Sequence, residues 1–112
     1  MPISIKEGTD NSQIVALSGE LDYHMSAELR TELDKLTARK VSKILIDLKE
    51  VTYLDSSVLA NFVELSQKVK RYSGKVAFFN LCDKVRYIFE LAKFDLFFPI
   101  AKTEKEAHDL AR

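Results

Sequence analysis

The 112-residue sequence contains one cysteine, two prolines, three glycines and no tryptophan, and its charges cancel. The lone cysteine, Cys82, excludes an intramolecular disulfide and favours a reducing, cytoplasmic location. With 17 basic and 17 acidic residues the formal net charge is zero, so we expect neither direct binding of nucleic acid nor attraction to an anionic membrane. Apolar runs such as residues 94–100 are shorter than the roughly 20 residues that cross a bilayer. We therefore expect no membrane insertion.

The scarcity of glycine and proline also leaves little room for flexible linkers. The glycines stand alone at positions 8, 19 and 74, which excludes a glycine-rich phosphate-binding loop. Hydrophobic residues make up 46% of the chain, enough for a core without disulfides or metals. We expect residues 1–112 to form one domain.

Hydrophobic periodicity predicts elements in the order β-β-α-β-α-β-α-β-α. Strands that alternate with helices pair in parallel through right-handed crossovers, so the predicted fold class is α/β with a mixed, mostly parallel sheet and an antiparallel first pair. Continuous apolar character places the third strand at the centre of the sheet, and Pro99 places the last strand at an edge. Strands are predicted over 3–6, 13–18, 44–48, 75–79 and 97–101, and helices over 23–39, 58–69, 85–92 and after 103.

Three positions carry helix boundary signals. Asp22 is a candidate N-cap of the first helix, because its carboxylate can accept the unpaired amide protons of the first turn. Gly74 is expected to take the left-handed conformation at the end of the second helix. Thr103 and Glu106 have the spacing of a capping box that opens the last helix.

Residue types with catalytic or metal chemistry are few. His24 and His108 lack the spacing of a metal site, and we expect both at the surface. Cys82, just before the third helix, has no evident base or second cysteine near it in sequence, so a small, partly buried side chain is expected. A basic cluster (Lys68, Lys70, Arg71 and Lys75) is interpreted as a solvated helix end. The sequence predicts no enzyme activity, no metal and no cofactor.

The segment Asp55-Ser56-Ser57 lies between a buried strand and the most regular amphipathic helix. Helix N-termini beyond the C-terminal ends of parallel strands present unpaired amide protons and meet ligands and partners. Phosphorylation of a serine there would add about −1.5 to −2 charges without unfolding the helix. Aspartate and serine are also the commonest helix caps, so from this triplet alone a purely structural role is the favoured interpretation.

Three segments together resemble a known family. Residues 19–22 (Gly-Glu-Leu-Asp), 46–48 (Ile-Asp-Leu) and 51–57 (Val-Thr-Tyr-Leu-Asp-Ser-Ser), followed by Leu59, are similar to the STAS domain of bacterial anti-sigma factor antagonists. The resemblance covers nearly the whole chain and implies a STAS fold. It also implies a partner switch, in which the unmodified antagonist binds an anti-sigma factor, often a serine kinase, and thereby releases a sigma factor. Phosphorylation by the kinase ends that binding, and a serine phosphatase could reverse it.

The resemblance also implies roles for individual residues. Ser57 would be the phosphorylated residue, with Ser56 as the alternative acceptor. Asp22, Asp55, Ser56, Ser57 and Val58 would form the partner-binding surface. The chain would be the substrate and ligand of the kinase rather than an enzyme.

Two positions depart from the family pattern, and they leave alternatives open. Val58 and Ala60 replace glycines, and the bulk of Val58 could change how a kinase approaches Ser57. This favours a second hypothesis, an unphosphorylated STAS scaffold or subunit of a transport or signalling complex. A third hypothesis is a small-molecule binder or weak enzyme that uses the helix N-terminus as an anion site.

Overall fold

The computed structural model describes residues 2–112, which form one five-stranded sheet with four helices. The strands lie in the sheet in the order in which they occur in the chain, β1-β2-β3-β4-β5. This confirms the predicted element order and the α/β fold class. The elements are β1 (Ile3–Glu7), β2 (Gln13–Leu21), α1 (Tyr23–Ala38), β3 (Lys43–Leu54), α2 (Ser56–Lys70), β4 (Lys75–Phe79), α3 (Asp83–Leu91), β5 (Ile100–Ala101) and α4 (Glu104–Leu110).

Strand pairing agrees with the predicted mixed sheet. β1 pairs with β2 in antiparallel orientation, and every later pair of neighbouring strands is parallel. β3 is the central strand and β5 is an edge strand, as the apolar run and Pro99 predicted. Pro99 cannot donate to the ladder, but its carbonyl oxygen accepts a hydrogen bond of 2.9 Å from the Phe78 amide.

Both faces of β3 are covered. Ile44, Leu45 and Ile46 are completely buried, and because side chains alternate along a strand they point to opposite faces. Ile44 and Ile46 pack with the apolar faces of α1, α2 and α3, whereas Leu45 packs with Ala107 of α4. This two-sided burial explains why the third strand reads as a continuous apolar run.

β2 and β3 extend further than predicted, to Leu21 and Leu54 instead of residues 18 and 48. The added part of β3 carries exposed polar residues, so it shows no continuous apolar run. The added part of β2 contains Gly19 at a φ of +86° beside a shift in the β2–β3 register. Glycine permits this backbone conformation at a bulge.

The end of α2 differs from the prediction. Ser73, at a φ of +64°, takes the left-handed conformation that was assigned to Gly74. Gly74 is required for space instead, since a Cβ there would lie 2.8 Å from Cε1 of Tyr72 and 3.3 Å from the carbonyl oxygen of Ser42. The prediction for Gly74 was therefore wrong in its physical reason.

Two further side chains lie in unexpected surroundings. Cys82 is exposed rather than partly buried, with its Sγ 3.5 Å from the carbonyl oxygen of Val51. The side chain of His108 is only 14% exposed, so the expectation of a surface position was wrong. It packs between Thr9 and Glu104, whereas His24 is exposed as predicted.

The C-terminal strand is shorter than predicted. Residues 94–96 form a single 3-10 turn, and β5 contains only Ile100 and Ala101. The predicted cap of α4 is present, because the Thr103 side chain accepts a hydrogen bond from the Glu106 amide. None of the helices within residues 2–112 is long and apolar enough to span a membrane.

Candidate functional site

The N-termini of α1 and α2 lie side by side at one edge of the sheet. Leu21 and Leu54 are paired at the ends of β2 and β3, and the residue after each one caps a helix. The Asp55 amide also donates a hydrogen bond of 3.1 Å to the carbonyl oxygen of Leu21. The predicted residues Asp22 and Asp55 are thereby brought together at the C-terminal ends of parallel strands.

Asp55 organises the start of α2. Its Oδ1 atom accepts hydrogen bonds from the amides of Ser57 (3.0 Å) and Val58 (3.3 Å), which satisfies two amide protons of the first helical turn. The same oxygen accepts a hydrogen bond of 2.6 Å from the Ser57 hydroxyl. The cap thus holds the side chain of the proposed switch residue as well as the helix backbone.

These hydrogen bonds stabilise the ionised form of Asp55. The Ser57 hydroxyl is the main cause that lowers the pKa of Asp55 from its ordinary value of 3.8, and partial desolvation opposes it. The amides of Val58, Ser57 and Tyr23 lower the pKa further. Ser57 therefore faces a full negative charge at neutral pH.

The predicted site residues differ in accessibility. Ser56 is exposed, and Asp22, Asp55 and Ser57 are partly exposed, so these four are accessible from outside. Val58 has no exposed area and packs in the core cluster. Its side chain supports the start of α2 from inside and does not contribute to the exposed surface at this site.

Two exposed tyrosines at this edge were not identified from the sequence. Tyr23 is 65% exposed and stacks on His24, with ring centroids 4.0 Å apart. Tyr53 is 38% exposed, and the centroid of its ring lies 5.5 Å from the Nζ atom of Lys84. Their position within two residues of a capping aspartate was the available signal, but an aromatic residue in a periodic segment resembles a core residue.

Asp47, in the middle of the family-like segments, has a structural role. Its Oδ1 atom accepts hydrogen bonds from the Lys49 amide (3.0 Å) and from Nδ2 of Asn80 (3.2 Å). These bonds fix the connection after β4 against β3. Within residues 2–112, no three histidine, cysteine, aspartate or glutamate side chains are grouped to hold a metal ion.

Comparison with known proteins identifies the family. The family model for the STAS domain matches residues 4–107 of this chain. An anti-sigma-B factor antagonist of Bacillus subtilis is 30% identical over 89 residues, which are 80% of each chain. One of Listeria monocytogenes is 26% identical over 104 residues, 93% of this chain and 91% of that protein.

The fold of a solved relative agrees with this assignment. The structure of an anti-sigma factor antagonist from Mycobacterium paratuberculosis superposes with a TM-score of 0.88 at 23% identity, covering 98% of this chain and 92% of that one. Anti-sigma factor antagonists are non-enzymatic regulators. The chain belongs to the STAS domain family, among the anti-sigma factor antagonists.

Proposed function

We propose that this chain is a phosphorylation-gated antagonist of an anti-sigma factor. In its unmodified form it binds an anti-sigma factor of the serine kinase type, which releases a sigma factor. Phosphorylation of Ser57 by that kinase ends the binding, and a serine phosphatase restores it. The exchange would take place in the cytoplasm, where RNA polymerase and its sigma factors act.

The observation that carries this proposal is the hydrogen bond of 2.6 Å from the Ser57 hydroxyl to Asp55. It places a partly exposed hydroxyl in one orientation at a helix N-terminus. Ser56, the alternative acceptor, is more exposed, but its hydroxyl forms no hydrogen bond with any other group in residues 2–112. A kinase that needs an oriented acceptor would therefore modify Ser57 rather than Ser56.

A phosphate on Ser57 would change the surface without unfolding the domain. The ester replaces the hydroxyl hydrogen, so the bond to Asp55 is lost, and about −1.5 to −2 charges are added beside an ionised carboxylate. Asp55 keeps its bonds to the two backbone amides, and the positive end of the helix dipole offsets part of the added charge. The helix start is expected to persist while the site becomes strongly anionic.

The neighbouring surface explains why this charge would prevent binding. Tyr23 and Tyr53 present partly apolar rings at the same edge, and exposed tyrosines are common anchors in protein interfaces. We propose that Asp22, Asp55, Ser56 and Ser57 with the two tyrosines form the partner-binding surface. A desolvated phosphate among these groups would have to find a cationic partner or remain unpaired, which opposes association.

The alternative of an unphosphorylated STAS scaffold loses part of its support. Val58, the residue that favoured it, is completely buried, so its replacement of a glycine has a packing explanation. Ala60 is exposed and improves the helix propensity of α2 over glycine. Neither residue therefore requires a different partner.

Mass spectrometry of one tryptic fragment tests the proposal. Cleavage after Lys49 and Lys68 releases both serines in a single peptide, and the protein is first incubated with ATP and a lysate of its own organism. We expect phosphate on Ser57 in the wild type and in Ser56→Ala, and none on this fragment in Ser57→Ala. An unmodified, fully covered fragment from the wild type would favour the scaffold alternative, and phosphate on Ser56 alone would overturn the assignment of Ser57.

A further inference from the structure

A groove on the far half of α2 has no role in the proposed switch. A depression of about 350 Å³ lies between α2 and residues 92–98, and an adjoining one of about 200 Å³ continues towards β4. The two share four lining residues, so they form a single groove. We call it the lysine groove and define it by Val63, Ser66, Lys70, Lys75, Phe97 and Phe98.

The groove and its surroundings expose an unusual amount of apolar surface. Phe97 lines both depressions and is 76% exposed, and Leu96 and Leu91 in the same stretch of chain are 71% and 66% exposed. Three large apolar side chains within seven residues are costly to leave in water. Clustered exposure of this kind marks interaction surfaces, whereas single exposed apolar residues do not.

The charge of the groove has one sign. Lys70 and Lys75 are its only ionisable lining residues, and within residues 2–112 neither lies within 4.0 Å of a carboxylate. Lys68, from the same basic cluster, is paired with Asp34 (2.6 Å) and Glu64 (2.8 Å). Of the three lysines in the cluster, one is therefore neutralised and two are free to pair with an anionic partner, while the fourth member, Arg71, does not line the groove.

The shape of the groove suits a helix. Its α2 wall consists of Val63, Ser66, Gln67 and Lys70, which have the i, i+3, i+4 and i+7 spacing of one helical face. Side chains of a second helix can pack between such a face and the Phe97 ring. We propose that the lysine groove binds an acidic amphipathic helix of a partner protein, with apolar residues against Phe97 and carboxylates against Lys70 and Lys75.

Charge and shape disfavour two other occupants. A two-fold dimer through this face would place equivalent lysines near each other without an acidic lining residue to pair with them. An anionic membrane is typically bound by clusters of about four to eight basic residues, and the groove has two. The groove is also concave, which suits inserted side chains better than a lipid surface.

The lysine groove is separate from the proposed switch. On α2, Ser57 lies six positions before Val63, the nearest residue of the groove, and 13 positions before Lys70, which correspond to about 9 Å and about 20 Å at a rise of 1.5 Å per residue. At 3.6 residues per turn, the side chains of Ser57 and Val63 also point about 120° apart around the helix. A helix in the groove would leave Ser57 accessible. The inference therefore does not depend on the phosphorylation of Ser57.

The test uses two synthetic 18-residue helical peptides and the full chain. Both peptides carry leucine and phenylalanine at i, i+3, i+4 and i+7 spacing, and the remaining positions are mainly glutamate in one and lysine in the other. Fluorescence anisotropy measures binding, and amide chemical-shift changes in NMR spectra locate it. We expect the acidic peptide to bind at least tenfold tighter than the basic one, with shifts at residues 63–75 and 97–98 and not at 55–57.

Variants distinguish the groove from general surface effects. Phe97→Ser is expected to weaken binding of the acidic peptide about tenfold, and the double variant Lys70→Glu, Lys75→Glu should reverse the preference between the peptides. Lys105→Glu, an exposed lysine on α4, serves as the control and should change little. Because Phe97 is exposed, Phe97→Ser is expected to leave the fold intact, and circular dichroism checks this.

Several results would overturn the proposal. One is the absence of saturable binding of the acidic peptide up to about 1 mM, a concentration that would detect even a weak interaction. A second is equal binding of both peptides. A third is a dimer in sedimentation experiments that Phe97→Ser dissociates, which would identify a second copy as the occupant. A fourth is binding to phosphatidylglycerol vesicles, lost in Phe97→Ser, without peptide binding, which would identify a membrane.

Discussion

At the scale of single residues, Asp55 links the stability of the domain to its proposed switch. One carboxylate oxygen accepts three hydrogen bonds, two from the backbone and one from Ser57. Because the third bond comes from the Ser57 hydroxyl, a change at Ser57 alters the hydrogen bonding of the residue that caps α2.

Replacement of Asp55 by alanine should destabilise the protein by about 1 kcal/mol at pH 7, the usual cost of losing an N-cap. The pKa of Asp55 is lower in the folded state than its ordinary 3.8. Its stabilising effect is therefore complete above that value and is lost as the pH falls through the folded-state pKa. Urea denaturation of wild type and variant between pH 7 and pH 3 should show converging stabilities, and a difference that does not change with pH would contradict this account.

Val58 and Ala60 provide a matched pair, because both replace family glycines and only one is buried. Val58→Gly removes buried methyl groups and adds backbone freedom in a helix, so we expect a loss of about 2–3 kcal/mol. Ala60→Gly should cost about 1 kcal/mol, the propensity difference alone. Equal losses in chemical denaturation would show that Val58 is not an important core residue.

At the scale of elements, the connection from α2 to β4 depends on two neighbouring residues with different requirements. Gly74→Ala would place a Cβ against the Tyr72 ring, which is held by a 2.8 Å hydrogen bond to the carbonyl oxygen of Val41 and cannot easily move. We expect a loss of about 1–3 kcal/mol, as for other overpacked sites.

Ser73→Gly should have the opposite sign. Ser73 has a left-handed backbone, which costs a non-glycine residue roughly 1 kcal/mol. The variant should keep or gain thermal stability, whereas Gly74→Ala lowers it. If Ser73→Gly proved the more destabilising of the two, Gly74 would not be limited by space as the structure indicates.

The sequence predicted the elements well where burial is regular and less well where it is not. β4 was located correctly to the residue because a continuous apolar run marks it, and α1 was located within one residue because apolar periodicity and the Asp22 cap mark it. The extensions of β2 and β3 were missed because backbone pairing, rather than apolar side chains, defines them. Pairing partners far apart in sequence leave no local signal.

The site was predicted unevenly for a similar reason. Helix-cap signals marked Asp22 and Asp55 in the sequence, but their placement on one surface with Ser56 and Ser57 came from the family resemblance, because the predicted strands ended at residues 18 and 48. The burial of Val58 and the exposure of Tyr23 and Tyr53 depend on tertiary packing, which periodicity alone does not determine. Whether these residues bind a partner remains a prediction.

At the scale of the whole molecule, an aromatic cluster connects the sheet to the helices that cover it. Phe78 on β4 is completely buried, with its ring centroid 4.9 Å from Phe62, 5.6 Å from Phe89 and 5.4 Å from Phe98. It therefore touches α2, α3 and the segment before β5 at once. Phe78→Ala should cost about 3–5 kcal/mol, a large part of the stability of a small domain.

Thermal unfolding distinguishes that effect from a local one. A single cooperative transition at a much lower temperature is expected for Phe78→Ala, because the cluster joins elements from β4 to the C-terminal strand. A second, separate transition would contradict the proposal that residues 1–112 form one domain. The radius of gyration of 12.5 Å, close to the roughly 13 Å expected for one domain of this length, supports that proposal.

The central claim is that a phosphate on Ser57 switches off partner binding, and calorimetric titration with the anti-sigma factor of the same organism tests it most directly. The unmodified chain and Ser57→Ala should bind in a one-to-one complex, and the chain phosphorylated on Ser57 should bind at least about 100-fold more weakly, equivalent to about 2.7 kcal/mol. Circular dichroism should show both forms equally folded. Equal affinity of the phosphorylated and unmodified chains would contradict the account.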